Sequence, residues 1–309
     1  MRELKLIFAG LLLVCSLPSY AGFDEGNAAY GKKDYATALK EWQPLAEKGE
    51  SRAQHQLGRL FNLGQGVKQD YAIAMMWYRK AAEQGNAGSQ RNIGLMYNNG
   101  QGVQQDYAVA MMWYLKAAEQ GNADSQNNIG LMYAKGQGVK QDYAVAMQWF
   151  LKAADQGNAG SQRNIGLMYD NGQGVQQDDA VAMMWYRKAA EQGDAVSQHN
   201  IGVMCANGQG VKQDYAEAMR WFLKAADQGN AVSQRNIGLM YNNGQGVQQD
   251  DAVAMMWYRK AAEQGDAAAK KRIGEMEEAN SRQEAQENAG KCSPSHQTRR
   301  NAGLQYVQS

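Results

Sequence analysis

The sequence predicts an all-α fold, a solenoid of stacked helical hairpins. Three observations carry that expectation. Trp77, Trp113, Trp149, Trp185, Trp221 and Trp257 are each 36 residues apart, and a fixed period of roughly 20–50 residues marks a solenoid, propeller or array. Only three Pro occur in 309 residues, which favours helices over a turn-rich β fold. Within each period the apolar residues recur at helical spacing, as in Ile93, Met96 and Tyr97. A single hairpin of this length cannot bury its apolar face, so neighbours must stack.

The first 21 residues read as an export signal. Arg2 and Lys5 form a short positive region, and Leu6 to Cys15 is an apolar run of ten residues, too short to span a bilayer as a helix. Ser19-Tyr20-Ala21 places small residues at the −3 and −1 positions of a cleavage site, so the cut is expected after Ala21. Cys15 as a lipid acceptor is the alternative, and Val14 suits it poorly. The mature chain, with 30 basic and 30 acidic residues, is expected in the periplasm or outside the cell. It has no second hydrophobic stretch, so no integral membrane segment is expected after cleavage. Its neutral balance offers no basic stripe for nucleic acid.

Residues 22–50 are expected to form a capping hairpin. Asp34-Tyr35-Ala36-Thr37-Ala38 aligns with Asp70-Tyr71-Ala72-Ile73-Ala74, Gly49 aligns with Gly85, Glu41 takes the Trp position and Trp42 falls on the following Tyr position. Six repeats of 36 residues then cover 51–266. In the unit 87–122, Asn122 stands where it can cap the next repeat's first helix. Helix A is expected over about Ala87 to Asn98, ended by Gly100 in a left-handed conformation. Gly100-Gln101-Gly102-Val103 makes a tight loop with Val103 turned to the core. Asp106 caps helix B, which runs to about Gln120 and closes at Gly121. Repeats four and six differ only at Gly160 against Val232 and Asp170 against Asn242, so the array grew through a 72-residue duplication. Residues 267–290 read as a polar capping helix carrying Glu275, Glu277 and Glu278, and 291–309 as a flexible tail.

Ile93, Met96, Tyr97, Ala110, Trp113, Tyr114, Ala117 and Ala118 are expected in the core, with most of the recurring methionines (Met75, Met76, Met111, Met112 and their equivalents) as flexible filler. Gly94 recurs in mid-helix, where glycine costs roughly 1 kcal/mol relative to alanine; its recurrence implies close approach of a neighbour. Cys205 replaces a repeat tyrosine and should be buried, which weakens a pairing with Cys292.

The phrases Asn92-Ile93-Gly94-Leu95-Met96-Tyr97, Gly100-Gln101-Gly102-Val103 and Ala108 to Ala118 with Trp113-Tyr114 resemble the Sel1-like repeat, a relative of the tetratricopeptide repeat. The resemblance implies a right-handed α/α superhelix that binds proteins or peptides. A cysteine-rich secreted branch of that family is associated with penicillin binding and β-lactamase-like activity, so a protein acting on peptidoglycan-type substrates is the alternative. Five of the six repeats lack Cys, which departs from that branch.

Functional residues are sought where the copies disagree. Helix A varies at positions 88, 91, 95 and 98 of the unit and their equivalents, which lie on one helical stripe. In the resembled superhelices helix A lines the concave groove. The expected partner-binding residues are therefore Arg91, Leu95, Asn127, Leu131, Arg163, Leu167, His199, Arg235 and Leu239. Guanidinium groups beside an aliphatic strip suit a protein or peptide with acidic residues or a free carboxylate. Met112 and Leu115 mark a second, outer variable stripe on helix B. No catalytic residue is expected: no Ser is followed by Lys three residues on. His55, His199 and His296 are isolated, so no metal site is expected. Gly100-Gln101-Gly102 lacks the Lys-Ser/Thr of a phosphate loop, and no cofactor is expected.

Overall fold

The computed structural model describes residues 20–291, with side chains over 22–288. The expected signal sequence before Tyr20, Cys292, His296 and the tail beyond Lys291 lie outside the described residues. Among those described there are fifteen helices and no strand. The first hairpin is α1 (Tyr20–Gly31) with α2 (Tyr35–Glu47), so α1 runs across the expected cleavage point. Then follow α3 (Ser51–Leu63) with α4 (Tyr71–Glu83), α5 (Ala87–Asn99) with α6 (Tyr107–Glu119), and α7 (Ala123–Lys135) with α8 (Tyr143–Ala154). The next are α9 (Ala159–Asn171) with α10 (Asp179–Glu191), α11 (Ala195–Asn207) with α12 (Tyr215–Asp227), and α13 (Ala231–Asn243) with α14 (Asp251–Glu263). The single helix α15 (Ala267–Lys291) ends the described chain. The chain divides within α9 into two compact units that meet at Ser161 and Gln162.

The repeat's own residues start and stop its helices. The Asn122 side chain accepts the Ser125 N–H at 2.8 Å and caps α7, and Asp106 accepts the Val109 N–H at 3.0 Å and caps α6. Each bond satisfies a backbone donor that the first helical turn leaves unpaired. Gly100 ends α5 with φ 68°, in the left-handed region where a Cβ is unfavourable. The loop folds back so that the Asp106 N–H donates to the Tyr97 carbonyl at 3.0 Å. The Gln105 side chain donates to the Asn98 carbonyl at 2.7 Å. Val103 is half-buried against the Ile93–Tyr78 cluster.

Tyr114 is the centre of the hairpin's core. It is 1% exposed and its ring lies on Gly94, where an added Cβ would come within 2.6 Å of Tyr114 Cδ1. The same notch pairs Gly58 with Tyr78, Gly130 with Phe150, Gly166 with Tyr186, Gly202 with Phe222 and Gly238 with Tyr258. Trp42, on the Tyr position of the first hairpin, fills the notch of Gly26. Three core assignments are corrected here, the first being Tyr97, which is half-buried between the Ile93–Tyr78 and Ile129–Tyr114 clusters. Trp113 is only half-buried, with the Lys116 Nζ 4.6 Å from its ring centroid. Met111 is buried, but its neighbour Met112 is 45% exposed, as are Met76, Met184 and Met256 to similar degrees. The cause is helical: Met111 and Tyr114 share the inward side at spacing i, i+3, and one step of about 100° turns Met112 out. Cys205 is buried, as its place in the repeat required.

Candidate functional site

The variable stripe of helix A begins as a chemistry of contacts between consecutive repeats. In the unit up to Ser161, Arg91 on α5 approaches Asp124 in the first turn of α7, with Nε 3.3 Å from Oδ2. Asn127 on α7 accepts a hydrogen bond from the Ser161 hydroxyl at 2.9 Å. His55 on α3 stands 2.8 Å through Nδ1 from the Ser89 hydroxyl. In the unit from Gln162, Arg163 on α9 donates to Asp194, the N-cap of α11, at 2.6 Å. His199 on α11 lies 2.9 Å from the Ser233 hydroxyl. Arg235 on α13 approaches Asp266 at 3.2 Å. All these contacts span 31 to 34 residues, about one repeat.

Two interface chemistries therefore alternate. Where the stripe holds His or Asn, it bonds the buried Ser of the next helix A. Where it holds Arg, an acid follows, and that Ser loses its partner: the Ser125 and Ser197 hydroxyls are buried without a hydrogen bond. After Arg235 the position is Ala269, fully buried. The sequence reading expected the guanidinium groups to meet a partner's carboxylate. Each one meets an aspartate of this chain, a pairing the sequence hides because it crosses a repeat boundary. Leu95 is half-buried against the Ile129–Tyr114 cluster and Leu167 against that of Ile201. Leu131 and Leu239 are also half-buried.

The histidines at this interface are held neutral. Burial, with Arg59 and Arg91 nearby, lowers the His55 pKa to about 4. Burial and Arg235 lower that of His199. A neutral ring keeps one nitrogen as acceptor for the serine hydroxyl or one as donor to it. Among the described residues no three His, Cys, Asp or Glu side chains gather as a metal site. No helix there is long and apolar enough to cross a membrane.

Most of the exposed large apolar side chains lie on helix B, although Leu63, Val196 and Val232 are exposed on helix A. Met112 and Leu115, at 45% and 36% exposure, share the outer side of α6 with Lys116 over Trp113. Leu151 on α8 and Leu223 on α12 repeat that placement. The lysine-over-tryptophan contact recurs in all six repeats, at 4.1 to 4.6 Å from ring centroid. Sequence reasoning missed it, although the i, i+3 spacing of Trp and Lys carries the signal.

The Sel1 repeat model matches residues 51–86, 87–122, 123–158, 159–194, 195–230 and 231–266. The chain belongs to the Sel1 repeat family. This Sel1 repeat protein is 33% identical to a Sel1 repeat protein from Oxalobacter formigenes, with a TM-score of 0.70 over 78% of this chain and 96% of that one. It is 37% identical to a protective antigen of uropathogenic Escherichia coli strains that displays an SLR fold, with a TM-score of 0.70 over 84% of this chain. It spans 56% of that antigen's length. A comparison with curated proteins finds no match. Sel1 repeats serve generally as protein-interaction scaffolds.

Proposed function

We propose that this Sel1 repeat protein is an exported protein- or peptide-binding scaffold, working in the cell envelope or at a host surface. Its partner lies along the variable stripe of helix A. In one unit that stripe comprises Arg91, Leu95, Asn127 and Leu131; in the other, Arg163, Leu167, His199, Arg235 and Leu239. The observation that carries the reading is the half-exposure of this stripe on helices whose other positions are nearly invariant. The leucines supply apolar contact. Each arginine also has donors beyond those turned to its aspartate, since a guanidinium offers five. These suit acidic side chains or a free carboxylate. The exposed pair Met112 and Leu115 favours a second reading, in which the partner docks on the outer side of helix B.

Site-specific photo-crosslinking in the native cell separates the two. A photoreactive residue at Leu95 or Leu167 is expected to capture the same partner, and one at Leu115 or Leu223 to capture none. Capture only from the outer positions moves the binding face to helix B. Capture from neither set contradicts a scaffold. Intact mass of the exported protein checks the address, with a start at Gly22 expected and a lipidated Cys15 contradicting it.

A further inference from the structure

The last described helix repeats half of a hairpin, and no described residue supplies the other half. Ile273, Gly274 and Met276 of α15 reproduce Ile93, Gly94 and Met96 of α5 in type and spacing. Ile273 and Met276 pack on the Tyr258 cluster, as a helix A does on the helix B before it. Yet, among the described residues and outside the helix's own backbone, no atom lies within 4 Å of where a Cβ on Gly274 would stand. Every repeat upstream fills this notch with an aromatic ring from its own helix B. Here a depression of about 520 Å³ is lined by Gly274, Glu277, Glu278, Ser281 and Arg282.

Repeat four shows what such a notch receives when an acid stands beside it. Tyr186 lies on Gly166 and donates its hydroxyl hydrogen to Asp170 Oδ2 at 3.1 Å. Asp170 is four residues beyond Gly166, and Glu278 is four residues beyond Gly274. Among the described residues Glu278 meets Arg282 alone, in an exposed contact at 3.3 Å, and exposed pairs of this kind are weak and readily exchanged. Glu277, beside Glu278, faces Arg259 of α14 at 3.6 Å, so Glu278 is the acid left nearer the notch.

We propose that the open face of α15 docks an amphipathic helix of a partner protein, with a tyrosine seated on Gly274 and hydrogen-bonded to Glu278. A second copy of this chain supplies no such helix from its described residues. Its own notch-filling aromatics, Trp42 among them, are buried inside their hairpins. The α1 helix at its other end carries a glycine notch of its own, already filled.

The test uses the full chain and a fluorescent peptide copying residues 178–193, cross-linked on its outer side to hold it helical. Binding is read by anisotropy. Wild type is expected to bind. Gly274→Leu fills the notch at a position where an added Cβ meets no described residue outside its own helix, so it should keep its circular dichroism melt while losing at least about tenfold in affinity. The peptide with its tyrosine changed to alanine should lose as much, and Glu278→Gln less. The proposal is overturned if wild type does not bind, or if Gly274→Leu or the alanine peptide binds as well as the originals. It is also overturned if wild type binds only after removal of residues 292–309, which makes the occupant the chain's own C-terminal segment. Self-association lost in Gly274→Leu would make it a second copy.

Discussion

Arg91 and His55 occupy the same place in successive repeats and do the same work by different means. One sets a charge against Asp124; the other meets the hydroxyl of Ser89. A buried hydroxyl without a partner costs roughly 1–3 kcal/mol, whereas a made hydrogen bond contributes about 1 kcal/mol. Ser89→Ala should therefore destabilise by about 1 kcal/mol, while Ser125→Ala should be neutral or stabilising, as Ala269 already suggests. Urea titration of both variants checks the contrast, and equal losses would contradict it. The histidine adds a pH dependence. With the His55 pKa lowered to about 4, the unfolded chain binds the extra proton between about pH 6.5 and 4. The stabilisation is present above that window and is lost as pH falls through it, by up to about 3 kcal/mol. His55→Asn borrows the solution that repeat three uses at Asn127 and should flatten the pH profile of the melting temperature in that range. An unchanged profile would assign the titration elsewhere. The stripe was legible in the sequence as a set of disagreements. Its pairings were not, since each joins residues 31 to 34 apart across a repeat boundary.

At the scale of the hairpin, the two helices are joined by a notch and a ring. Gly94 gives up helix propensity so that Tyr114 can lie against its backbone. Gly94→Ala would gain roughly 1 kcal/mol of intrinsic propensity but must displace a buried ring, at a cost of typically 1–3 kcal/mol. A net loss of stability is expected. Tyr114→Ala should cost about 3–5 kcal/mol, in line with other buried aromatics, and Trp113→Ala distinctly less. Thermal melts of the three variants test that order, and a larger loss for Trp113→Ala would restore tryptophan to the centre of the core. The caps, the left-handed Gly100 and the mid-helix glycine were all readable from residue type and spacing. Which of two adjacent aromatics points inward was not. Trp113 and Tyr114 both fit an apolar face, and the choice is made by a glycine twenty residues earlier on another helix.

In the whole molecule, coupling runs between neighbours. Helix α6 packs against α5 within its hairpin and α7 in the next, and α12 does the same with α11 and α13. Energy lost at one hairpin should stay near it. Hydrogen exchange on Tyr114→Ala should show lost protection in residues 51–158 and little change in α13 and α14; uniform loss would indicate one cooperative core. The same locality lets side chains on the open faces vary without unfolding the array, which is what a scaffold for other proteins requires. That property was legible in the 36-residue period alone. The partner was not, because the residues that vary also serve the contacts between repeats. The most direct measurement of the central claim is a hydrogen-exchange footprint of the purified protein with its captured partner. Protection is predicted over residues 91–98 and 127–134 in one unit and over 163–170, 199–206 and 235–242 in the other. Protection confined to the outer sides of α6, α8, α10, α12 and α14, with helix A unchanged, would contradict the account.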